Sequence, residues 1–375
     1  ILDWTPNTNH SGFYLARAKG YYRDAGLDVS IIEPGADGGL PQLAAGNAQF
    51  AVSVAEQLLP ARQQGAEVVS VGAILSHNTS SLVIPADRGV RTAKDLEGKT
   101  YGGFGGELEQ ALLDTLVACD GGDPSKVSFV EVGNVDYNQG FEQGDYDAVW
   151  VFDGWDVIRL RDVLGMDVTT IPFYSSLGEA SCLPDWYTPL VATSQRLIDE
   201  DPALVRSFMA ATAKGFEDAR TDPEGAARTL LAAAPELDGQ LVELSAAYLA
   251  DRYGDPGRAW GVQDPQTWKR FADFLKEHDL LAADVDDAKA FTNDFLPEGA
   301  GAARAIPDGT PLAVAIGAST WTNLGPTKSN KIQNGVVLTK VNSGRLRTIL
   351  PDPVDPNTLY VLSSGGGLWK TTNLL

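Results

Sequence analysis

The first 297 residues alternate short apolar runs with longer segments in which apolar positions recur at helical spacing. Apolar runs predict strands, and apolar residues three and four positions apart predict helices. In chain order the predicted elements are a strand at 1–4, a helix at 12–25, a strand at 27–32, a helix at 40–45, a strand at 50–52, a helix at 55–64 and a strand at 68–74. This order is typical of an α/β fold with a mostly parallel sheet and helices on both faces. Ligands of such sheets bind beyond the carboxyl ends of the strands.

A second unit of the same kind begins near residue 95, and from Leu190 the pattern returns to the first unit. The predicted strands of the second unit are 100–103, 127–132 and 146–152, and its predicted helix is 107–118. After the return, long helices are predicted at 202–219, 223–234, 237–249 and 265–278. Several of these helices begin at Pro, which suits the first helical turn.

A chain that enters a second lobe once and leaves it once forms a two-lobed clamp with two crossing strands. We predict the crossings near 84–86 and 187–190. Lobe I is then expected to comprise residues 1–86 and 188–297, and lobe II residues 87–187. A cleft between two such lobes is a common place for a small ligand.

The last part of the chain changes character. Helical periodicity is absent after residue 297, and Gly, Pro, Ser, Thr and Asn become frequent. Short β-type runs occur at 312–316, 336–341, 346–350 and 358–362. We therefore predict a linker at 298–310 and a small β-rich segment at 311–375.

Composition and charge narrow the class of protein. The 375 residues carry a net charge of −21, which argues against nucleic acid and anionic membrane surfaces as partners. The two cysteines, Cys119 and Cys182, lack metal-ligand spacing, and the sequence leaves open whether they are two thiols or one disulfide. The chain opens directly on a strand-like run, and we expect that an export signal or a lipid anchor originally preceded it.

The segment WVFDGW, residues 150–155, carries the clearest chemistry. Three aromatic residues, Trp150, Phe152 and Trp155, surround the carboxylate of Asp153, and Gly154 allows the backbone to turn. Aromatic faces and a hydrogen-bond acceptor together suit a flat, nitrogen-rich ring. The alternative is a buried aromatic strand end with a solvated aspartate.

The loop after the first predicted strand offers a second set of polar groups. Trp4 supplies a ring face, and Asn7 and Asn9 can both donate and accept hydrogen bonds to a ligand. The alternative is a loop that caps the following helix, because Asn is a favoured N-cap. His10 has no partner at a functional spacing, and we interpret it as a structural residue.

Five further positions lie in loops that the predicted cleft would contain. Ser53 is either an N-cap or a ligand donor, and Asn78 belongs to a polar cluster that also suits an ordinary turn. Phe104 and Glu107 flank a Gly-rich turn without Lys or Arg, which favours close approach to a neutral ligand. Tyr187 either closes over a ring or packs at the hinge.

No catalytic or metal-binding set is apparent. The sequence contains no GxSxG motif, and its histidines, His10, His77 and His278, show no zinc-binding pattern. Counting alone does not exclude a pair of catalytic acids in so acidic a chain. We predict no catalytic residue, no metal and no cofactor.

Seven segments together resemble a known family. They are LDWTPNTNH, GYYRDAGLDV, AVSVAEQLL, SHNTSSLV, WVFDGW, WYTP and AFTNDFLP. They resemble the periplasmic binding proteins for thiamin pyrimidine precursors, a family shared with the fungal pyrimidine-precursor synthase. The resemblance covers residues 1–297 and implies a type II periplasmic-binding fold. It also implies an ABC permease as partner and a periplasmic or extracellular location, as a lipoprotein or a secreted protein.

The resemblance further implies an aminopyrimidine ligand, such as formylaminopyrimidine or hydroxymethylpyrimidine. The ligand contacts carried onto this chain are Trp4, Asn9, Glu107, Asp153, Trp155 and Tyr187. The loop candidates Asn7, Ser53, Asn78 and Phe104 complete the predicted ligand-binding set.

Two departures from the family pattern affect the expected ligand and activity. Many relatives carry Glu where this chain has Asp153, so another flat heterocycle such as riboflavin is the alternative ligand. The synthase uses a lysine and a histidine at positions matched here by Ser53 and Gln57. Its cysteine-rich iron motif is replaced by LPDWY, residues 183–187, so we predict no synthase activity.

The tail resembles a different family. The segment SGRLRTILPDPVDPNTLYVLSSGGGLWKTTN, residues 343–373, is similar to one blade of a sialidase-type or sortilin-like β-propeller. A closed propeller needs several blades. A single blade has unpaired strand edges, so we expect self-association or strand pairing through residues 311–375.

Overall fold

The computed structural model describes residues 1–35, 38–133, 137–174, 182–255 and 257–297. It also describes the backbone of five strands between residues 331 and 371. The chain divides into two compact units, Ile1–Ala313 and Val314–Leu375. The first unit contains two sheets, each with its own helices.

The first sheet is three-stranded and belongs to lobe I. Its order is β1-β8-β2, where β1 is Phe50–Ser53, β2 is Val68–Ala73 and β8 is Leu190–Ser194. The central strand β8 runs antiparallel to both neighbours. The helices of lobe I are α1 (Ser11–Ala18), α2 (Tyr21–Asp24), α3 (Gly39–Ala44), α4 (Ala55–Gln63), α7 (Gln195–Glu200), α8 (Pro202–Thr221), α9 (Pro223–Ala233), α10 (Gly239–Ala250) and α11 (Pro265–Glu277).

The second sheet is five-stranded and belongs to lobe II, in the order β5-β4-β6-β3-β7. Its strands are β3 (Ser80–Pro85), β4 (Thr100–Gly103), β5 (Ser128–Glu131), β6 (Ala148–Phe152) and β7 (Val168–Pro172). The helices of lobe II are α5 (Glu107–Cys119) and α6 (Tyr137–Gln143). A wide π-type segment follows β6, in two turns over Asp153–Val157 and Arg159–Val163.

The structure corrects the predicted sheet direction and the first crossing. Among the strands described in the two sheets, β4 pairs in parallel with β5 and β6, whereas β3 and β8 run antiparallel to their partners. Because β3 belongs to the second sheet, the chain crosses before Ser80, so the boundary predicted at residue 86 was wrong. The first crossover is therefore residues 74–79, between β2 and β3. The second lies between the end of β7 at Pro172 and the start of β8 at Leu190.

Three predicted elements of lobe I also differ. The runs at 1–4 and 27–32 form no strand, although a backbone hydrogen bond joins them, from the Leu2 N–H to the Ile32 carbonyl at 2.8 Å. The helix predicted at 12–25 is broken into α1 and α2. Gly20 stands at the break with a φ of 79°, a conformation that glycine adopts without a steric cost.

Aspartate caps explain why the helices predicted after Leu190 form where the sequence places them. The carboxylates of Asp201, Asp222, Asp238 and Asp264 each accept a hydrogen bond from a backbone N–H in the first turn. Three of the four are followed by Pro at the first helical position. The apolar faces of α8 and α11 pack on the two faces of the first sheet, in separate core clusters.

The cysteines are joined. Cys119, the last residue of α5, and Cys182, in the second crossover, form a disulfide with a Cα–Cα distance of 6.0 Å. Of the two alternatives that the sequence left open, the structure selects the bridge. The bridge closes a loop of 63 residues that contains most of the second sheet.

The second unit contains only β-structure among its described residues. A hairpin pairs β9 (Lys331–Gln333) with β10 (Val336–Leu338), and β11 (Arg345–Pro351), β12 (Leu359–Ser364) and β13 (Gly367–Thr371) form an antiparallel sheet. The strands predicted near 336, 346 and 358 are confirmed. The predicted linker 298–310 and the run 312–316 lie outside the described residues, and the propeller resemblance stays a prediction.

Candidate functional site

The two crossovers bring segments of both lobes together. The Ala55 N–H at the start of α4 donates to the Tyr187 carbonyl at 3.0 Å, which joins lobe I to the second crossover. The Asp153 N–H donates to the Thr79 carbonyl at 2.9 Å, which joins the end of β6 to the first crossover. The rings of Trp150 and Trp186 meet edge to face, with centroids 6.3 Å apart. These contacts define a junction where both lobes contribute side chains.

Buried polar atoms without a hydrogen-bond partner concentrate at this junction. Within the described ranges, every such side-chain atom except those of Arg88 and Arg220 belongs to the first loop, the β1–α4 turn, a crossover, the start of β3 or the end of β6. We call this set the junction cluster: Asn9 Oδ1, Ser11 Oγ, Ser53 Oγ, Glu56 Oε2, Asn78 Nδ2, Ser80 Oγ, Ser81 Oγ, Trp150 Nε1, Asp153 Oδ1, Trp186 Nε1 and Thr188 Oγ1. Buried polar groups in folded proteins are nearly always paired. A concentration of unpaired ones indicates a place for a polar occupant.

Asp153 is the acid of lobe II in the junction cluster. Burial raises the pKa of its carboxyl group to about 6. Its Oδ1 is unpaired, and its Oδ2 receives a long hydrogen bond, 3.5 Å, from the Tyr248 hydroxyl of α10. The Arg252 guanidinium lies over the Tyr248 ring, 3.6 Å from the centroid. One oxygen of Asp153 is thus oriented by lobe I, and the nearby Ser81 hydroxyl of β3 is the main group that opposes the rise in the pKa of the carboxyl group.

Glu56 is a second acid in the junction cluster, and it is not among the residues predicted from the sequence. It lies in the first turn of α4, after strand β1, with Oε2 buried and unpaired. Burial raises the pKa of its carboxyl group to about 7, and the nearby Trp186 indole and Thr188 hydroxyl oppose this rise. The sequence feature that could have indicated Glu56 is its position at the start of a helix that directly follows a strand of the sheet.

Ser53 and Asn78 keep a free group each. The Ser53 hydroxyl is buried and unpaired, and the N-cap of α4 is Val54, so the capping alternative for Ser53 was wrong. Asn78 Oδ1 accepts the Ser80 N–H at 2.6 Å, whereas its Nδ2 is unpaired. Both therefore have hydrogen-bonding capacity at the junction.

The first loop is mainly a structural turn. Asn7 caps the short 3₁₀-helix Thr8–His10: its Oδ1 accepts the Asn9 N–H at 2.9 Å and its Nδ2 donates to the Thr5 carbonyl at 3.1 Å. The capping alternative for Asn7 is therefore the one that the structure shows, and its role as a ligand contact stays a prediction. Buried His10 accepts the Asn7 N–H at Nδ1 and donates from Nε2 to Asp3, as expected of a structural histidine. Asn9 Oδ1 remains unpaired.

Tyr187 and Trp155 contact protein rather than an open cleft. Tyr187 is 3% exposed, and its hydroxyl accepts the Asp264 N–H at 2.6 Å, so it packs at the hinge, the second of the two alternatives, and its role as a ligand contact stays a prediction. Trp155 is half-buried and packs against an apolar cluster of lobe I formed by Tyr14, Ala227, Leu230, Val242 and Ala246. Its ring therefore joins the lobes, a role that the sequence did not suggest.

The remaining predicted contacts are exposed. Trp4 is 40% exposed, Phe104 is 53% exposed, and Glu107 is an exposed residue at the start of α5. The structure does not bring them into the junction cluster, and their ligand roles stay predictions. Buried Glu109 holds the Gly-rich turn, because it accepts the Tyr101 hydroxyl at 2.9 Å and the Phe104 N–H at 2.6 Å.

A second polar group, which we call the crossover cluster, is fully paired. His77 of the first crossover contacts Asp185 Oδ2 through Nδ1 at 2.6 Å and Asp255 Oδ1 through Nε2 at 3.1 Å. Asp185 also accepts the Asn78 N–H at 2.9 Å. These hydrogen bonds raise the pKa of His77, chiefly through Asp185. The cluster links the two crossovers to lobe I.

Comparison with known proteins places the chain among binding proteins and enzymes of one family. A family model described as NMT1/THI5 like matches residues 7–226. The formylaminopyrimidine-binding protein of Halalkalibacterium halodurans is 27% identical over 298 residues, 78% of this chain and 88% of the relative. The riboflavin-binding protein RibY of Chloroflexus aurantiacus is 29% identical over 318 residues, 80% of this chain and 85% of the relative.

An enzyme and a solved structure complete the comparison. The 4-amino-5-hydroxymethyl-2-methylpyrimidine phosphate synthase of Legionella pneumophila is 23% identical over 301 residues, 80% of this chain and 92% of the relative. The periplasmic aliphatic sulphonate binding protein SsuA of Escherichia coli superposes with a TM-score of 0.61 at 17% identity, over 80% of this chain and 94% of that one. The two-lobed periplasmic-binding fold predicted from the resemblance is thereby confirmed.

The arrangement also bears on metals and membranes. Residues that could hold a metal ion form no group of three or more His, Cys, Asp or Glu side chains in the described part of the chain. None of the helices described has the length and apolar character required to cross a bilayer.

Proposed function

The chain belongs to the NMT1/THI5-like family, and from this premise we propose that it is a solute-binding protein for an aminopyrimidine precursor of thiamin. The formylaminopyrimidine-binding relative, matched over most of both chains, supports this substrate class. The protein would capture the pyrimidine outside the cytoplasm and present it to an ABC permease. The disulfide between Cys119 and Cys182 agrees with an oxidising location.

The observation that carries the proposal is the junction cluster. An aminopyrimidine offers an amine that donates hydrogen bonds and ring nitrogens that accept them. Asp153 Oδ1 can accept from the amine, and Asn78 Nδ2 can donate to a ring nitrogen. Trp150 and Trp186 add indole N–H donors. A ligand of this kind would pair groups that are otherwise buried at a cost of about 1–3 kcal/mol each.

Contacts between the lobes support capture by closure. The Ser245 hydroxyl of α10 donates to the Gly154 carbonyl, and Gln240 Nε2 donates to the Asp162 carbonyl at 3.2 Å. Together with Trp155, these contacts hold the segment after β6 against lobe I. Because Asp153 lies in the same segment, ligand binding and closure would be coupled, and the closed form would be the one a permease recognises.

Isothermal titration calorimetry with formylaminopyrimidine and hydroxymethylpyrimidine tests this function. We expect binding of at least one of them, no binding of MOPS as a sulfonate control, and a loss of at least tenfold in affinity for Asp153→Ala. Asp251→Ala, at the end of the neighbouring helix α10, is the control because it removes an exposed carboxylate. Failure of the wild-type protein to bind any flat heterocycle would exclude the proposal.

Riboflavin is the second candidate ligand, and the RibY relative is the observation that favours it. Its isoalloxazine ring also presents donors and acceptors on a flat edge. The same titration with riboflavin, together with the visible absorbance of the purified protein, separates the two ligands. Tight riboflavin binding without aminopyrimidine binding would reassign the substrate.

We further propose that the chain is not a pyrimidine-precursor synthase, although synthase relatives belong to the same family. The carboxyl end of β1 presents Ser53, which cannot form the Schiff base that a lysine forms with pyridoxal phosphate. Incubation with pyridoxal phosphate should leave the absorbance spectrum of the cofactor unchanged. A Schiff-base band that borohydride reduces onto the protein would contradict this proposal.

A further inference from the structure

Gly154 of lobe II lies directly against helix α10 of lobe I. A Cβ atom added at Gly154 would be 2.9 Å from Leu249 Cδ2 and 3.1 Å from Tyr248 Cδ1. Leu249 is buried in a core cluster of lobe I, and the Tyr248 ring is covered by the Arg252 guanidinium. Because both neighbours are packed within lobe I, neither can move aside without a loss of packing there.

The backbone at Gly154 does not itself require a glycine. The φ of Gly154 lies outside the left-handed region, so the conformation of the segment after β6 suits other residues at this position. The close approach to α10, rather than the turn predicted from the sequence, is therefore what excludes a larger residue.

A buried chain of hydrogen bonds crosses between the lobes at the same point. The Ser245 hydroxyl of α10 donates to the Gly154 carbonyl, so the Thr8 hydroxyl is the donor in its own hydrogen bond with Ser245. The Tyr253 hydroxyl in turn donates to the Thr8 carbonyl, and all three side chains are buried. The Ser245 hydroxyl therefore keeps its acceptor in lobe II only while Gly154 is held against α10.

We propose that Gly154 is the residue that permits the lobes to close, and that a side chain at this position acts as a wedge between the segment after β6 and α10. This inference rests on the proposed function and names the position that controls closure around its ligand. Asp153 precedes Gly154, and Trp155 follows it and packs on the apolar cluster of lobe I. A wedge at Gly154 would therefore displace Asp153 and Trp155 together. Gly154 is thus a positioning residue, which acts on the ligand through Asp153.

The test compares the wild-type protein with Gly154→Ala and Gly154→Leu by calorimetric titration with hydroxymethylpyrimidine and formylaminopyrimidine. We expect affinity to fall about tenfold for Gly154→Ala and about 100-fold for Gly154→Leu, because closure becomes less populated as the wedge grows. Small-angle X-ray scattering is measured at a ligand concentration that saturates the wild-type protein. The wild-type protein should then have a smaller radius of gyration than Gly154→Leu.

A double-mutant cycle distinguishes a wedge from a local defect of the turn. Leu249→Ala removes the atoms nearest to the added Cβ, so Gly154→Ala should cost less affinity in this background than in the wild-type protein. Gly239→Ala is the matched control on α10, because its added Cβ would have a single neighbour, Leu231 Cδ1 at 4.0 Å. It should leave affinity and radius of gyration unchanged.

Wild-type affinity in Gly154→Leu, or an equal loss from Gly154→Ala in both backgrounds, would overturn the inference. If Leu249→Ala does not fold, the scattering comparison decides, and equal radii of gyration for the wild-type protein and Gly154→Leu would overturn it. Absence of binding of either pyrimidine by the wild-type protein would instead contradict the proposed function.

Discussion

The junction cluster and the crossover cluster contain similar residues but differ in whether their polar groups are paired. In the crossover cluster His77 contacts two aspartates, and buried Asp185 also accepts the Asn78 N–H. In the junction cluster Asp153, Glu56 and Ser53 each have a buried oxygen without a partner. The first arrangement contributes to folding stability, whereas the second opposes it unless something binds.

Whether a buried polar group is paired distinguishes structural residues from candidate ligand-binding residues better than residue type does. Asn78 illustrates it within one side chain, because its Oδ1 orders the chain by accepting the Ser80 N–H while its Nδ2 is left open. Groups that complete a fold should be costly to remove in the ligand-free protein. Removal of a group that binds the ligand should lower the affinity but leave the stability of the ligand-free protein nearly unchanged.

The largest effect is expected for Asp185→Ala. The substitution leaves the Asn78 N–H without its acceptor and removes one partner of His77. We expect the free energy of unfolding to fall by about 2–3 kcal/mol, as measured by urea denaturation. Asp255→Ala is the control, and because that aspartate is more exposed, its loss should cost less than about 1 kcal/mol. Equal costs for the two variants would contradict the view that buried pairing makes the crossover cluster structural.

Asp153→Asn should have the opposite effect and raise the free energy of unfolding of the ligand-free protein. Burial raises the pKa of Asp153 to about 6, well above the ordinary value of an aspartate, so the folded protein binds this proton more tightly than the unfolded chain does. Ionised Asp153 therefore lowers stability above pH 6, and this cost disappears as the pH falls toward 4. We expect Asp153→Asn to stabilise the ligand-free protein by about 1–2 kcal/mol at pH 8 and not at pH 4. A stability difference that does not change with pH would show that the carboxylate is hydrated and the lobes are apart.

The sequence predicted those parts of the fold that depend on local signals. The four helices predicted after Leu190 begin at aspartates, and the sequence alone indicates that these aspartates are N-caps. Strand β4 and helix α5 also lie where periodicity placed them. Strand pairing was less accessible: the apolar run at 80–85 looks the same whether it joins the first sheet or the second, and only long-range packing decides.

Only some residues of the candidate site were predicted from the sequence. Asp153 was found because aromatic neighbours drew attention to it, and Ser53 because it follows a strand. The burial of Tyr187 and the buried carboxyl group of Glu56 were not predicted, and for the same reason. A sequence shows that a residue can form hydrogen bonds, but it does not show with which partner. The Tyr187 hydroxyl accepts the N–H of Asp264, a residue 77 positions away.

The pH response of the crossover cluster should be smaller than that of Asp153 and of the same direction, because a raised pKa makes stability fall with rising pH in both cases, but here the charged form of the group stabilises the fold. The charged groups that face His77 are Asp185 and Asp255, with Arg258 paired to Asp255 at 3.6 Å, and the ring stacks on Tyr174. The pKa of His77 is raised above 6.5, chiefly by Asp185. Its stabilising contribution is therefore fully present below pH 6.5 and is lost as the pH rises through the folded pKa.

We accordingly expect His77→Gln to lower the melting temperature more at pH 5.5 than at pH 8.5. The effect should be modest because the His77 side chain is 38% exposed. Asp185→Asn should remove most of the pH dependence and Asp255→Asn less of it. A melting-temperature difference between wild type and His77→Gln that grows with pH would show that the histidine is neutral in the fold.

The smallest effect on stability is expected for Ser53→Ala. This variant separates most clearly the unpaired groups of the junction cluster from the paired groups of the fold. The Ser53 side chain is 1% exposed with its hydroxyl unpaired, so its removal relieves a buried polar group and leaves a cavity no larger than one oxygen atom. These terms nearly cancel, and the free energy of unfolding should stay within about 0.5 kcal/mol of wild type. Affinity for the aminopyrimidine should nevertheless fall several-fold if the hydroxyl pairs with the ligand.

Thr193→Val is the contrasting control, because the hydroxyl of this buried threonine donates to the Gln49 carbonyl at 2.7 Å. This substitution should lower the free energy of unfolding by about 1 kcal/mol and leave the affinity for the ligand unchanged. If Ser53→Ala instead lost stability and kept its affinity, the Ser53 hydroxyl would belong with the paired groups of the fold.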